Sequence, residues 1–347
     1  MKPSPLLLPV SWLYGLGMSV RNLLFDAGIL NIHRMEVPVI SVGNIAVGGT
    51  GKTPMVEYIA GHLKDRGLRV AVLSRGYGRM STGYQVVSNG YQRCAEAITA
   101  GDEPAQMADT LQGVVVAVDE NRVHGARQLV QDFRPEVIIL DDGFQHRSLG
   151  RALDLLLMRA SDILGKRRLL PAGYLREPLT GLRRANLVGV SGWQNEEAFN
   201  RAVSAIQNRT SKPVIGFLLR PQKLRRLLTG DVVSNSGVDK PVVAFSGIAR
   251  PEGFEHTLKM FGIDVAVHVA FPDHYWYRPE DLHSLARKAG DSGARSLVTT
   301  QKDAVRLLSV QGIRELDAQF PVLVLEAGVV IEHGREILIQ HLEALCR

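Results

Sequence analysis

The chain has 347 residues, 45% hydrophobic and 22% charged, a mix that builds a buried core and excludes a disordered, collagenous or plain coiled-coil chain. The length suits two domains, or one with a large appendage. Cys94 and Cys346 are too few and too far apart for a disulfide framework or a cysteine-rich zinc site; 41 Lys+Arg against 35 Asp+Glu leave +6, favouring anionic partners without choosing among nucleotide, membrane and nucleic acid.

Pro3 to Val20 carries no charge. Its prolines, serines and glycines, and the Arg21 that follows, argue against a spanning helix, which needs about 20 mostly apolar residues. With only Lys2 ahead of it and no small-residue cleavage site, it does not read as a signal peptide. From Ser11 the pattern is helical. Leu13, Leu16, Val20, Leu23, Ala27 and Leu30 form one line, and Gly15, Ser19, Asn22 and Asp26 form the opposite one. Trp12 and Tyr14 suit a headgroup boundary. The helix either lies on a bilayer or packs on its own domain; periodicity does not separate the two.

Apolar runs ending in turn residues follow at Val37–Val42, Val70–Leu73, Val114–Val118, Val137–Leu140, Leu153–Met158 and Leu187–Val190, with helical patterns between several of them. Near-continuous Val/Ile/Leu runs mean strands buried on both faces, hence a doubly wound, mostly parallel α/β sheet. Further runs at Val214–Leu219, Val242–Phe245, Ser296–Thr299 and Val322–Leu325 predict a second, smaller α/β lobe. The polar stretch 220–240 is the candidate boundary. The expected organisation is a helical region over 1–35, a core over 36–220 and a C-terminal lobe over 221–347.

The first strand runs into Ala46-Val47-Gly48-Gly49-Thr50-Gly51-Lys52-Thr53, a Walker A pattern with Ala at its first position. The core is therefore expected to be P-loop NTPase-like. Glycines let successive backbone N–H groups turn inward on phosphate oxygens, and the following helix adds its positive end. Val47, Gly48, Gly49, Thr50, Gly51, Lys52 and Thr53 are the candidate nucleotide contacts. Lys52 would neutralise phosphate charge, and Thr53 would ligate Mg²⁺. Pro54 suits the first helical turn.

Val137–Leu140 ends in Asp141-Asp142-Gly143. An acid at a strand's C-terminal end beside a phosphate loop is the Walker B arrangement, although Asp-Gly also closes strands. Asp102 or Glu103, ahead of the helical stretch Ala105–Leu111, serves either as a helix cap or as the base that takes a hydroxyl proton. Asp119–Arg122 follows another strand and reads equally as a ligand loop or an ordinary polar loop. Phe271–Tyr277 surrounds His274 with aromatics, as a packed turn or as a support for a catalytic carboxylate. Lys166, Arg167, Arg168, Arg176, Arg183 and Arg184, mixed with Leu, Pro and Tyr, make a solvated face or one for anionic lipid. No nucleic-acid-binding motif accompanies them.

Together VGNIAVGGTGKTP, SRGYGR (Ser74–Arg79), GDEP (Gly101–Pro104), DENR (Asp119–Arg122), DDGFQH (Asp141–His146), LPAGYLREP (Leu170–Pro178), FPDHYWY (Phe271–Tyr277) and TTQKD (Thr299–Asp303) resemble the bacterial tetraacyldisaccharide 4'-kinases. The motifs fall in that family's order from about residue 38 to 303, and the N-terminal helix matches too. The resemblance implies that ATP-Mg²⁺ phosphorylates the 4'-hydroxyl of an acylated glucosamine disaccharide 1-phosphate at the cytoplasmic face of the bacterial inner membrane. The protein would be peripheral there, with no nucleic acid and no obligate protein partner. By the same resemblance Lys52 and Thr53 belong to the nucleotide loop, Asp102 is the base and His274 supports it. Asp141 and Asp142 are the Walker B acids, Glu177 is a metal-side ligand and Arg122 a phosphate contact. Gln301 departs from the pattern, which has Glu before Lys302-Asp303.

The competing reading is a P-loop NTPase switch or metal chaperone with water as acceptor. A GTPase would need Asn-Lys-x-Asp, and in Thr300-Gln301-Lys302-Asp303 the Lys and Asp are adjacent. A metal chaperone would need His/Cys clusters, whereas the ten His are scattered. A non-catalytic membrane adaptor would leave Lys52, Thr53 and Asp141 without a purpose.

Overall fold

The computed structural model describes residues 5–165, 168–238 and 241–345. Lys166, Arg167 and Cys346 lie outside the described residues. Among the described residues thirteen strands form one sheet, an α/β fold as the apolar runs require. They are β1 (Val39–Asn44), β2 (Val70–Ser74), β3 (Gln85–Asn89), β4 (Val115–Val118), β5 (Val137–Asp141), β6 (Leu153–Arg159), β7 (Leu187–Ser191), β8 (Val214–Arg226), β9 (Val232–Val233), β10 (Val242–Ser246), β11 (Val265–Ala270), β12 (Ser296–Thr300) and β13 (Val322–His333). Their order is β11-β10-β12-β13-β8-β7-β6-β1-β5-β2-β4-β3, with β9 on β8. Strands β1, β2, β5, β6 and β7 are buried along their whole length, which is why they read as unbroken apolar runs.

The two halves share one long antiparallel ladder, Gly216–Arg226 of β8 against Leu323–His333 of β13. The charged stretch that begins at Arg220 is therefore strand as far as Arg226. Arg225 and Lys223 reach Glu326 at 2.6 and 3.2 Å, and Arg220 reaches Glu332 at 3.2 Å. Strand β7 pairs in parallel with only the first residues of β8, and β12 with only the first residues of β13. Since β8 and β13 run in opposite directions, the C-terminal edges of both parallel halves point toward the middle of the ladder. That geometry opposes the two ligand-binding edges of a doubly wound α/β sheet across one cleft.

The helix α1 (Leu8–Asp26) stands apart from the sheet. Its buried residues are Ser11, Gly15 and Phe25, while Leu6, Val10, Trp12, Leu13, Leu16, Val20 and Leu23 are exposed. Ser11 Oγ donates to Leu169 O and accepts from Ala172 N, and Tyr14 OH donates to Arg176 O at 2.6 Å. Arg147 pairs with Asp26 at 2.5 Å. The small and polar face thus docks on the body, and the apolar face looks outward. No described helix is long and apolar enough to cross a membrane.

Candidate active site

Strand β1 delivers the loop 46–51 to the N-terminus of α2 (Lys52–Lys64). Gly48 and Gly51 have φ of 111° and 88°, conformations that cost residues with a Cβ but not glycine. A Cβ on Gly51 would stand 2.9 Å from the Phe217 ring. The loop is held from both sides. Asn44 donates to Thr50 Oγ1 at 3.0 Å, Ser191 Oγ donates to Thr50 O, and Val47 N donates to Tyr174 O. Thr53 is buried in the first turn of α2.

Strand β5 ends on Asp141, and Asp142 follows it in the turn beside this loop. Lys52 Nζ lies 3.6 Å from Asp142 Oδ1, and Arg176 grips both Asp142 oxygens at 2.8 and 3.0 Å. Burial works to raise the Asp142 carboxyl, but Lys52 and Arg176 outweigh it and hold it below the usual range. Asp141 differs. Burial first, then the neighbouring Glu103 and Asp142 charges, push it up to about 7. Its Oδ2 accepts from Ser74 Oγ at 2.9 Å, while its buried Oδ1 has no partner. An orphaned carboxylate oxygen beside a phosphate loop is what a Mg²⁺-nucleotide would satisfy, so the residues present fit that group.

The third cluster straddles the cleft. The short α3 (Ala97–Ala100) runs into α4 (Asp102–Thr110). The cap position belongs to Gly101, so the capping reading of Asp102 does not hold. Asp102 Oδ1 accepts from Glu103 N, and Oδ2 lies 2.9 Å from His274 Nδ1. Burial works against the Asp102 charge, but His274, Lys302 and Arg306 prevail and lower its pKa. His274 has φ of 59° in the loop after β11. Around it Phe271 and Tyr275 stack at 4.9 Å, and Tyr277 OH donates to buried Asp303 at 2.7 Å. Phe271, Tyr275 and Tyr277 pack together, while His274 and Trp276 line a small cavity with Asp102 and Tyr77.

Sequence reasoning left Lys302 and Asp303 without roles. Lys302 Nζ reaches Glu103 at 3.0 Å and His274 Nε2 at 3.2 Å. Asp303 accepts from Gly247 N, Thr300 Oγ1, Tyr277 OH and fully buried Arg306. Gln301, the departure from the family pattern, accepts from Ala327 N at 3.3 Å. Their signal was the Thr300-Gln301-Lys302-Asp303 run itself; their partners lie far away in sequence.

Glu177 and Arg122 are both buried and hydrogen-bonded within the protein, and Arg122 Nε has no partner. Glu177 is buried, accepting from Gln145 and Arg184 at 2.8 Å each and from Asn22 of α1 at 3.4 Å. Arg122, at the start of α5 (Arg122–Phe133), is buried behind Asp141 and donates to the Asp119 and Asp141 carbonyls. Burial lowers its pKa to about 10, with Asp141 and Asp142 opposing. The rest of the Asp119–Arg122 loop is structural. Asn121 caps α5, and Glu120 pairs with Arg79. No group of three His, Cys, Asp or Glu that could hold a metal ion occurs among the described residues.

A model of the Tetraacyldisaccharide-1-P 4'-kinase family matches residues 3–346. The chain is 40% identical over 320 residues to a tetraacyldisaccharide 4'-kinase of Chlorobium phaeovibrioides, covering 90% of this chain and 89% of that one. Against the enzyme of the same name from Geobacter metallireducens it is 41% identical over 295 residues, 85% and 86% of the two chains. A crystal structure of LpxK from Aquifex aeolicus in complex with ATP superposes with a TM-score of 0.80 at 37% identity, covering 98% of each chain.

Proposed function

The chain belongs to the tetraacyldisaccharide-1-P 4'-kinase family, and on that premise we propose how its residues carry out the transfer. The reaction is ATP-dependent phosphorylation of the 4'-hydroxyl of an acylated disaccharide 1-phosphate, a lipid A precursor. The observation that carries the reading is the Asp102–His274 pair, 2.9 Å apart and supplied from opposite sides of the cleft that also holds Lys52 and Asp141.

The loop N–H groups and Lys52 bind the nucleotide phosphates. Thr53, Asp141 and Asp142 are the residues that would hold Mg²⁺, which supplies charge neutralisation on the phosphoryl group when bound. Arg176 and Lys52 keep Asp142 ionised. Asp102 takes the 4'-hydroxyl proton as that oxygen bonds to the γ-phosphorus and the bond to ADP breaks. His274 orients the Asp102 carboxylate. We assign Glu177 to holding α1 and Arg184 in place, and Arg122 to supporting Asp141 from behind, in preference to direct contacts with metal or phosphate.

The outward apolar face of α1 supports a peripheral position on the cytoplasmic face of the bacterial inner membrane, where an acyl-chain substrate stays. The test is label transfer from γ-labelled ATP to the lipid in mixed micelles. Wild type moves label to lipid. Asp102→Ala lowers kcat by about 10²–10⁴ with nearly unchanged ATP affinity. Release of free phosphate at a rate indifferent to the lipid would instead favour the NTPase switch.

A further inference from the structure

The stretch 247–250 joins the C-terminal end of β10 to the helix Pro251–Met260. Gly247 ties it to the base side of the cleft. Its carbonyl accepts from His274 N at 3.1 Å and from Arg306 Nη2 at 3.0 Å, and its N–H donates to Asp303 at 3.0 Å. Three residues on, Arg250 is exposed, and its guanidinium has no ion-pair partner among the described residues. The charges that face it are Arg159 and Asp162 from the other half, with Tyr174 beside them, and Glu252 from its own helix. Arg159 and Tyr174 border the phosphate loop. Val47 N donates to Tyr174 O at 2.8 Å, and a Cβ on Gly48 would stand 3.5 Å from Arg159 Nη2.

Asp162 is already engaged, accepting from Arg159 Nε and Nη2 at 2.9 and 3.0 Å. Arg250 therefore faces a guanidinium whose own acid is taken. Burial first and then the Arg159 charge lower its pKa, with Asp162, Glu252 and Tyr174 opposing. A cation held against a cation is relieved by an incoming anion. The place decides which anion. In the proposed reaction the hydroxyl oxygen beside Asp102 bonds to the γ-phosphorus, so the γ-phosphoryl group lies between Asp102 and the loop. The stretch 247–250 spans the same interval, from His274 to the border of the loop at Gly48. Resting on that reading, we propose that Arg250 is a phosphoryl-binding residue supplied by the C-terminal half, its guanidinium donating to non-bridging oxygens of the γ-phosphoryl group that the loop holds.

Arg250 keeps its proton throughout, and only hydrogen bonds form and break at it. It acts as an arginine supplied in cis, stabilising the charge spread over the equatorial oxygens during transfer. Lys302 and Arg306 are committed elsewhere, to Asp102, Glu103 and Asp303. Arg159 is held in its bidentate pair with Asp162 and backs the loop at Gly48.

A γ-phosphoryl contact separates ATP from ADP. The experiment is calorimetric binding of ATP and of ADP, each with Mg²⁺ and without lipid, to full-length wild type, Arg250→Ala and Arg250→Lys. For Arg250→Ala the ATP affinity is expected to fall about tenfold, the size of one charge-assisted hydrogen bond, with ADP affinity unchanged. Arg250→Lys keeps the charge without the planar fork and recovers part of the loss. In label transfer the Arg250→Ala kcat falls by about 10²-fold or more, because the charge met by the guanidinium grows in the transition state. Thermal unfolding of this variant matches wild type, as at other exposed positions. An Arg250→Ala protein whose ratio of ATP to ADP affinity equals that of wild type overturns the proposal. Nucleotide binding is read without lipid, so the two readings fail separately. A shifted ratio in a chain that moves no label to lipid counts against the kinase reading alone. Label transfer with an unshifted ratio counts against Arg250 alone.

Discussion

Replacing Leu13 and Leu16 together by serine isolates what the outer face of α1 does. In wild type these side chains are 71% and 63% exposed, flanked by Trp12 at 74%. Nothing in the fold uses them, because α1 docks through Ser11, Tyr14, Asn22 and Asp26. Fully burying a leucine contributes about 2 kcal/mol, so the exposed fraction leaves about 1.5 kcal/mol per side chain for a hydrocarbon surface. Two substitutions forgo about 3 kcal/mol, a drop in membrane partitioning of roughly 150-fold. Folding stability changes by no more than about 0.5 kcal/mol, as for other exposed positions. The assay is co-sedimentation with anionic phospholipid vesicles, paired with thermal unfolding and with turnover on detergent-dispersed lipid. Loss of vesicle binding with unchanged unfolding and turnover is expected. A double variant that sediments like wild type, or one that unfolds several degrees earlier, refutes the reasoning.

Glu177→Ala separates a scaffold role from a metal role. It strands half-buried Arg184 and Gln145 and loosens Asn22, so stability falls by about 2 kcal/mol, read as a chemical denaturation midpoint; unchanged stability with a raised Mg²⁺ requirement would support the ligand reading. Glu57 on α2 accepts from Gln106 Nε2 at 3.0 Å, and burial lifts it from near 4.5 to about 7, the Gln106 hydrogen bond opposing and Glu326 adding. A carboxyl raised on folding contributes stability below its unfolded value that is lost as pH rises through its folded value. Glu57→Gln keeps the hydrogen bond and sheds the charge. It should match wild type near pH 4 and exceed it near pH 8 by on the order of 3 kcal/mol; equal stability at both would show that Glu57 is well solvated.

Ten of the strands were legible because burial on both faces writes an unbroken apolar run. Strand β3, at the sheet edge, and half-exposed β11 carry no such run, and neither was expected. The misleading segment was Arg220–Arg226. Its arginines and lysine look like a linker, but they are the solvated face of a ladder whose acids, Glu326 and Glu332, lie about a hundred residues on. The loop Ala46–Thr53 and Asp141-Asp142 stood out because the proposed phosphate chemistry dictates residue type and spacing locally, and the structure places them side by side. Asp102 was ambiguous on spacing because Asp at a helix start also serves capping; its partners His274 and Lys302 come from the far half of the chain. Glu177 entered only through the family resemblance; nothing near it in sequence reveals that Arg184, Gln145 and Asn22 converge on it.

The crossed ladder explains why those partners come from the far half. A single parallel sheet offers one C-terminal edge, and here that edge supplies Lys52, Asp141 and Asp142. A base placed on the same edge would share the field of those carboxylates. Glu103 and Asp142 already raise Asp141 together with burial, showing how little further negative charge the edge tolerates. By turning a second edge to face the first, β8 and β13 bring cations to Asp102 from outside: Lys302 at 3.9 Å and Arg306 at 3.8 Å, with His274 between. Arg306 is in turn fixed by the Gly247 and Tyr275 carbonyls and by Asp303. Asp102 keeps its charge against burial because its counter-charges come from the helix Gln301–Leu307 and the loop after β11, away from Asp141 and Asp142. On the proposed assignment of Asp102, the C-terminal half therefore contributes counter-charge to the base.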